Sequence, residues 1–177
     1  DVTLSRIGGS DDLSIMLSDG STMTVQGQFT THLTGGLRLD QVETFEFASD
    51  PEATIEWIQL FDMLLTSAKT AGNDTIFGFD RSDTLDGGAG DDTLRGGNDS
   101  DTYIFELGSG HDTITDQWDS IFFDDKDTVQ FGEGITLEDL AIVRDGVDMV
   151  ITFDGSDDEL TITNQFHVFS IDLDGVE

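Results

Sequence analysis

Gly87-Gly88-Ala89-Gly90-Asp91-Asp92-Thr93-Leu94-Arg95 is the clearest turn of a nine-residue repeat that occupies the middle of the chain. Asp74, Asp83, Asp92 and Asp101 fall nine apart, and two residues after each comes a large side chain, Ile76, Leu85, Leu94 or Tyr103. A Gly/Asp-rich loop region would explain the composition but not four aspartates in register with four apolar residues. The spacing predicts that the first six residues of each copy turn and the last three form a short strand whose middle residue points inward. Two strands make one coil of a parallel β-roll, so aspartates 18 residues apart share an edge: Asp74 with Asp92, and Asp83 with Asp101.

The residue types suggest what the turns hold. Gly72 in copy one, Gly87, Gly88 and Gly90 in copy three, and Gly96 and Gly97 in copy four permit positive φ and let carbonyl oxygens converge without a Cβ in the way. The aspartate at position six adds a carboxylate. Calcium accepts such mixed shells of about six to eight oxygens at about 2.3–2.6 Å, whereas magnesium demands a smaller octahedron. Calcium is therefore the expected ion, several of them, with each aspartate pair flanking one. A fifth copy, Gly108-Ser109-Gly110-His111-Asp112-Thr113-Ile114, follows a two-residue insertion, and Asp127-Thr128-Val129 is a more degenerate sixth turn. These two are expected to close the roll with one or two further sites. The copies are unequal: Lys69 and Thr70 replace glycines in copy one, Phe79 and Arg81 in copy two, and Asp99 in copy four. Sites touching copy two should be weakest.

Copy three fits every fixed position of G-G-x-G-x-D-x-U-x, and on that motif the chain resembles the RTX, or haemolysin-type calcium-binding, proteins. The resemblance implies a piece of a large bacterial protein, exported unfolded by a type I system and folding when it meets calcium outside the cell.

Composition agrees with one or two compact domains. The chain has 177 residues, 36% of them hydrophobic, and a single proline. Its 38 acidic residues against 7 basic ones argue against nucleic acid and anionic membrane surfaces, which would repel it. About five calcium ions would cancel only roughly ten of the 31 net negative charges. The metal-free chain should thus repel itself and hold little structure until the ion supplies folding free energy. There is no cysteine from which to read a redox compartment, and no apolar run nears the ~20 residues of a membrane span. The chain starts at Asp1 without a methionine or signal peptide, as an excised fragment would.

A second, longer repeat relates the two ends. Asp1-Val2-Thr3-Leu4-Ser5-Arg6-Ile7-Gly8 matches Asp139-Leu140-Ala141-Ile142-Val143-Arg144-Asp145-Gly146, and Met23–Phe29 matches Leu160–Phe166. Leu39–Glu43 likewise matches Leu173–Glu177. Alternating runs at Leu13–Leu17 and Met149–Phe153, followed by Asp19-Gly20 and Asp154-Gly155 and a further run, predict hairpins. Both copies are cut mid-unit, which suggests tandem units of roughly 135 residues and neighbouring repeats of the same parent chain. These segments resemble the calcium-binding-related domain that accompanies RTX repeats. Between them and the ladder, Asp50-Pro51 begins a stretch with Ile55, Ile58, Leu60, Phe61, Leu64 and Leu65 on an apolar stripe. With Ser49 or Asp50 as cap and Pro51 at the first position, it predicts a helix covering the open first coil.

The expected organisation is all-β: residues 1–48 a repeat-associated β segment, 49–68 a capping helix, 69–130 the roll, and 131–177 the second β segment. Alternative functions remain open. One is a calcium-rigidified adhesin module that recognises carbohydrate or a cell surface. The Asp116–Lys126 loop, with Asp119, Asp124 and Asp125 among aromatics, could serve that purpose or hold an extra ion. The other is calcium-triggered self-processing at Asp50-Pro51, which some RTX relatives perform; the surrounding residues resemble the repeat-associated domain instead. His32, His111 and His167 are scattered without zinc spacing, and no nucleophile motif is present, so no enzymatic activity is expected.

Overall fold

The computed structural model describes residues 2–6, 12–26, 28, 42, 44–47, 50–115 and 126–166. Residues 116–125, His32, His167, Ser49 and the paired segments at 39–41 and 173–177 lie outside them, and with them the readings placed there.

Both predicted hairpins are present, each extended to three strands. β1 (Val2–Arg6), β2 (Leu13–Leu17) and β3 (Thr22–Val25) form one antiparallel sheet, with Leu4 opposite Ile15 and Ile15 opposite Met23. β4 (Thr44–Phe47) pairs antiparallel with β5 (Asp50–Glu56), and α1 (Trp57–Ala68) follows directly. The expected helix start at Pro51 is therefore corrected. Residues 50–56 pair with β4, Phe45 opposite Ile55, and this long-range pairing overrides the helical periodicity. The helix begins only where Gln59 Oε1 accepts the Glu56 amide, at 3.1 Å.

The nonapeptides supply β6 (Thr75–Phe77), β7 (Thr84–Asp86), β8 (Thr93–Arg95), β9 (Thr102–Phe105), β10 (His111–Ile114) and β11 (Thr128–Phe131). Alternate strands stack in two parallel ladders, β6-β8-β10 and β7-β9-β11. The position-seven threonines stay in register, Thr75 with Thr93 and Thr113, and Thr84 with Thr102 and Thr128. The position-eight side chains Ile76, Leu85, Leu94, Tyr103 and Ile114 are buried between the ladders, each contributing roughly 1.5–3 kcal/mol.

The sheets are mixed rather than purely parallel. β12 (Leu140–Asp145), β13 (Asp148–Phe153) and β14 (Glu159–Ile162) repeat the meander of the first three strands, Leu140 opposite Phe153 just as Val2 lies opposite Leu17. This second meander is not a separate flanking unit. β14 pairs parallel with β10, Thr113 beside Thr161, making a six-stranded sheet in the order β12-β13-β14-β10-β8-β6. The apolar core is continuous from end to end. Phe61 of α1 meets Phe79 edge-on at 4.4 Å, and at the far end Phe105 stacks on Phe153 at 4.8 Å. Among the described residues no helix is long and apolar enough to cross a membrane.

Candidate metal centre

The repeat places its aspartates in two columns along the ladder. On one edge the Asp92 Oδ1 accepts the Asp74 amide at 2.7 Å, and the Asp112 Oδ1 accepts the Asp92 amide at 3.0 Å. On the other edge Asp101 Oδ1 accepts the Asp83 amide at 2.8 Å, and Asp127 Oδ1 accepts the Asp101 amide at 2.9 Å. Both expected pairs are thus brought together, and Asp112 and Asp127 extend them by one step each. The carbonyls complete the register, since the amides of Thr93, Thr102, Thr113 and Thr128 donate to the carbonyls of Asp74, Asp83, Asp92 and Asp101 at 2.8–2.9 Å.

These carboxylates are held where a charge is costly. Asp92 is 1% exposed and Asp112 is 2% exposed. Burial raises the Asp92 carboxyl above its usual range against the opposing hydrogen bond from Asp74, and Asp74, Asp91 and Asp86 add repulsion. Burial pushes Asp112 further, up to about 7, with Asp92, Asp91 and Asp158 also disfavouring its charge. Burial likewise raises Asp83, although hydrogen bonds from Arg81 and Phe79 pull it back.

A cation of the predicted kind fits this arrangement. The Asp92 Oδ2 is buried and accepts no hydrogen bond. A Cβ on Gly87 would run into that oxygen, and one on Gly96 into the Asp101 carboxylate. The glycines thus leave space beside the carboxylates, and the carbonyl oxygens of Thr70, Gly72 and Gly90 line the same edge against Gly88, Gly90 and Gly110. Hard oxygen donors of two kinds, with an orphaned carboxylate oxygen, are the donor set that calcium takes. The family model for the RTX calcium-binding nonapeptide repeat (4 copies) matches residues 70–103 and 77–114.

The chain carries RTX calcium-binding nonapeptide repeats. The matched spans leave both meanders outside them, and no curated protein matches the chain significantly.

Within the RTX ladder the glycines act for two different reasons. Positive φ was the expected one, and it holds at Gly88, Gly90, Gly97, Gly108 and Gly110. Gly87 and Gly96 instead are needed for the close approach of the aspartate side chains. Gly72 departs from both: a Cβ there would meet only Thr70 Oγ1 at 3.8 Å, so the fold does not demand glycine. Asp99 takes its glycine's place with φ of 69°.

Sequence reasoning missed four participants. Gly78, at position one of copy two, lies against the Gly96 carbonyl and 3.0 Å from Asp83 Oδ2 as a Cβ would measure it. Its place in the nonapeptide register was the available signal. Asn73 and Asp91 form an outer column, where Asn73 Oδ1 accepts the Asp91 amide at 3.0 Å and Asp91 Oδ1 accepts the His111 amide at 3.1 Å. Asp158 closes the far end: its carboxylate accepts the amides of Gly108 at 2.8 Å and Gly110 at 3.0 Å and the Ser156 hydroxyl at 2.6 Å. Burial acts to raise Asp158, but those bonds outweigh it and hold the group below the usual carboxylate range. Nothing local in the sequence marks this residue, because its partners lie 48 and 50 positions away.

Proposed function

We propose that this chain is a calcium-triggered folding module of a secreted bacterial RTX protein, in which the two parallel ladders form a β-roll around ions held by Asp92, Asp101, Asp112 and Asp127. The observation that carries the reading is the buried Asp92 Oδ2, an oxygen whose desolvation is compensated by no donor. Those carboxylates and the turn carbonyls would hold the calcium, which would supply the missing positive charge. The chain's own residues do the rest. The glycines hold the backbone close, the amide-to-carboxylate bonds orient each Oδ1, and the position-eight side chains tie each turn to the core.

Without the ion, a net charge of −31 and a column of buried carboxylates oppose compaction. A chain with that balance stays extended where calcium is scarce, as export through a type I channel from the cytosol requires, and folds outside. No catalytic step is assigned to it, and its partner is calcium. The test is a calcium titration of EDTA-stripped protein followed by far-UV circular dichroism, with magnesium as control and Asp92→Asn as comparison. A cooperative gain of β signal with calcium alone, shifted to higher calcium by the substitution, is expected. A β signal already complete in EDTA, and indifferent to calcium, would overturn the proposal.

A further inference from the structure

The two edges of the ladder differ at position four. On the edge carrying Asp74, Asp92 and Asp112 the residues are Gly72, Gly90 and Gly110, and a Cβ on Gly90 would come within 2.7 Å of the Gly72 carbonyl carbon. On the other edge they are Arg81 and Asp99. Arg81 turns its guanidinium into the turn: Nε donates to Asp83 Oδ1 at 2.7 Å, Nη2 donates to Asp62 of α1, and the group lies 4.9 Å above the Phe61 ring. The Asp83 side chain is fully buried beneath it, and its second oxygen accepts the Phe79 amide at 2.6 Å.

Asp83 and Asp92 hold the same repeat position in adjacent copies, yet their oxygens differ. Both Asp83 oxygens have protein donors, one of them charged, whereas Asp92 has a buried oxygen with none. The difference follows from where each stands. The Asp92 carboxylate leans toward the preceding coil and meets the Asp74 amide, so an ion held by it would have turns of two coils to draw on. Asp83 belongs to the first coil of its edge, where the neighbour in the ladder direction is α1 instead of another turn. Asp74, first on the opposite edge, is likewise supplied from within its own copy: the Thr70 amide and hydroxyl both donate to its Oδ2 at 2.8 Å.

We infer that Arg81 takes the place of a calcium ion at the start of its edge, so that Asp83 is not a calcium ligand and the Asp62–Arg81–Asp83 cluster fastens α1 to the first coil without metal. The ladder therefore begins on protein donors, and its ions start at the steps where Asp92 and Asp101 face a preceding turn. A divalent ion seated on Asp83 would sit beside the guanidinium, and two like charges on one carboxylate repel strongly in a buried site. The departure of copy two from the motif is then a substitution of one cation by another rather than a weakened site. Arginine suits this role because its planar fork stays charged and reaches two carboxylates at once.

This inference rests on the calcium reading of the ladder, and counting bound calcium by native mass spectrometry separates the two. Calcium-loaded wild type, Asp83→Asn, Asp92→Asn and Arg81→Gln would be compared. The expected result is the same ion count in wild type and Asp83→Asn, and one fewer ion in Asp92→Asn. Arg81→Gln should melt at lower temperature in saturating calcium, and the Arg81→Gln/Asp83→Asn double variant should recover part of that loss, since it no longer buries an unmatched carboxylate. If Asp83→Asn loses one ion while remaining folded by circular dichroism, Asp83 is a ligand and the inference fails alone. Wild type that binds no calcium refutes the calcium reading, and this inference with it.

Discussion

Replacing Asp112 with asparagine should stabilise the metal-free protein at neutral pH while weakening its response to calcium. Asp112 is 2% exposed, and its carboxyl titrates at about 7 against an ordinary value of 3.8. A folded-state value above the unfolded one means that the native chain holds a proton which the unfolded chain has released between those limits. Stability from this group is therefore fully present below pH 3.8 and is lost as pH rises through about 7. The difference of 7 − 3.8 = 3.2 units corresponds to about 4 kcal/mol at about 1.36 kcal/mol per unit. Asparagine keeps the oxygen that accepts the Asp92 amide and carries no charge, so the variant should escape most of that loss. Folding of EDTA-treated protein by titrated sucrose, a stabilising osmolyte, followed by far-UV circular dichroism from pH 4.5 to 8, would measure it. Of that interval 7 − 4.5 = 2.5 units fall inside the range, so the wild type should weaken by about 3 kcal/mol more than Asp112→Asn across it. Comparison with the variant removes the contribution of the chain's overall charge. Equal slopes in the two proteins would refute the reasoning, because the carboxyl would then titrate alike folded and unfolded.

Two further substitutions test the geometry of the turns and the core. Gly90→Ala places a Cβ at φ of 130° and within 2.7 Å of the Gly72 carbonyl carbon, so it should cost about 2–4 kcal/mol in calcium-saturated thermal melts, whereas Gly72→Ala, with only a 3.8 Å contact, should cost under about 1 kcal/mol. Equal losses would show that position four is not where the coils press together. Leu94→Ala removes a side chain 1% exposed between the ladders and should cost about 2–5 kcal/mol by denaturant unfolding, with a loss near zero excluding it from the core.

Much of the site was legible because the repeat is local. Nine-residue spacing alone puts Asp92 above Asp74 and buries Leu85 and Leu94, since a coil of two strands admits no other register for them. The glycine rule was legible in outline, but the separate demand at Gly87 and Gly96 needed the path of the aspartate side chains. The helix was foreseen, yet its first turn was placed too early. Periodicity through Ile55 suits a helix as well as a strand, and the choice fell to Phe45, ten residues back, which pairs with it.

The sequence by itself determined the metal-binding repeat, its two columns of aspartates and the hairpins at Asp19-Gly20 and Asp154-Gly155, because each follows from residues within a coil or a turn. Tertiary structure alone decided how the ladder ends. At one end α1 meets the first coil and lends Asp62 to Arg81; at the other, β14 adds to β10 and brings Asp158 over the amides of Gly108 and Gly110. A stack of strands leaves unpaired backbone and apolar core at its open ends, and what covers them is set by long-range packing, which no period in the sequence encodes.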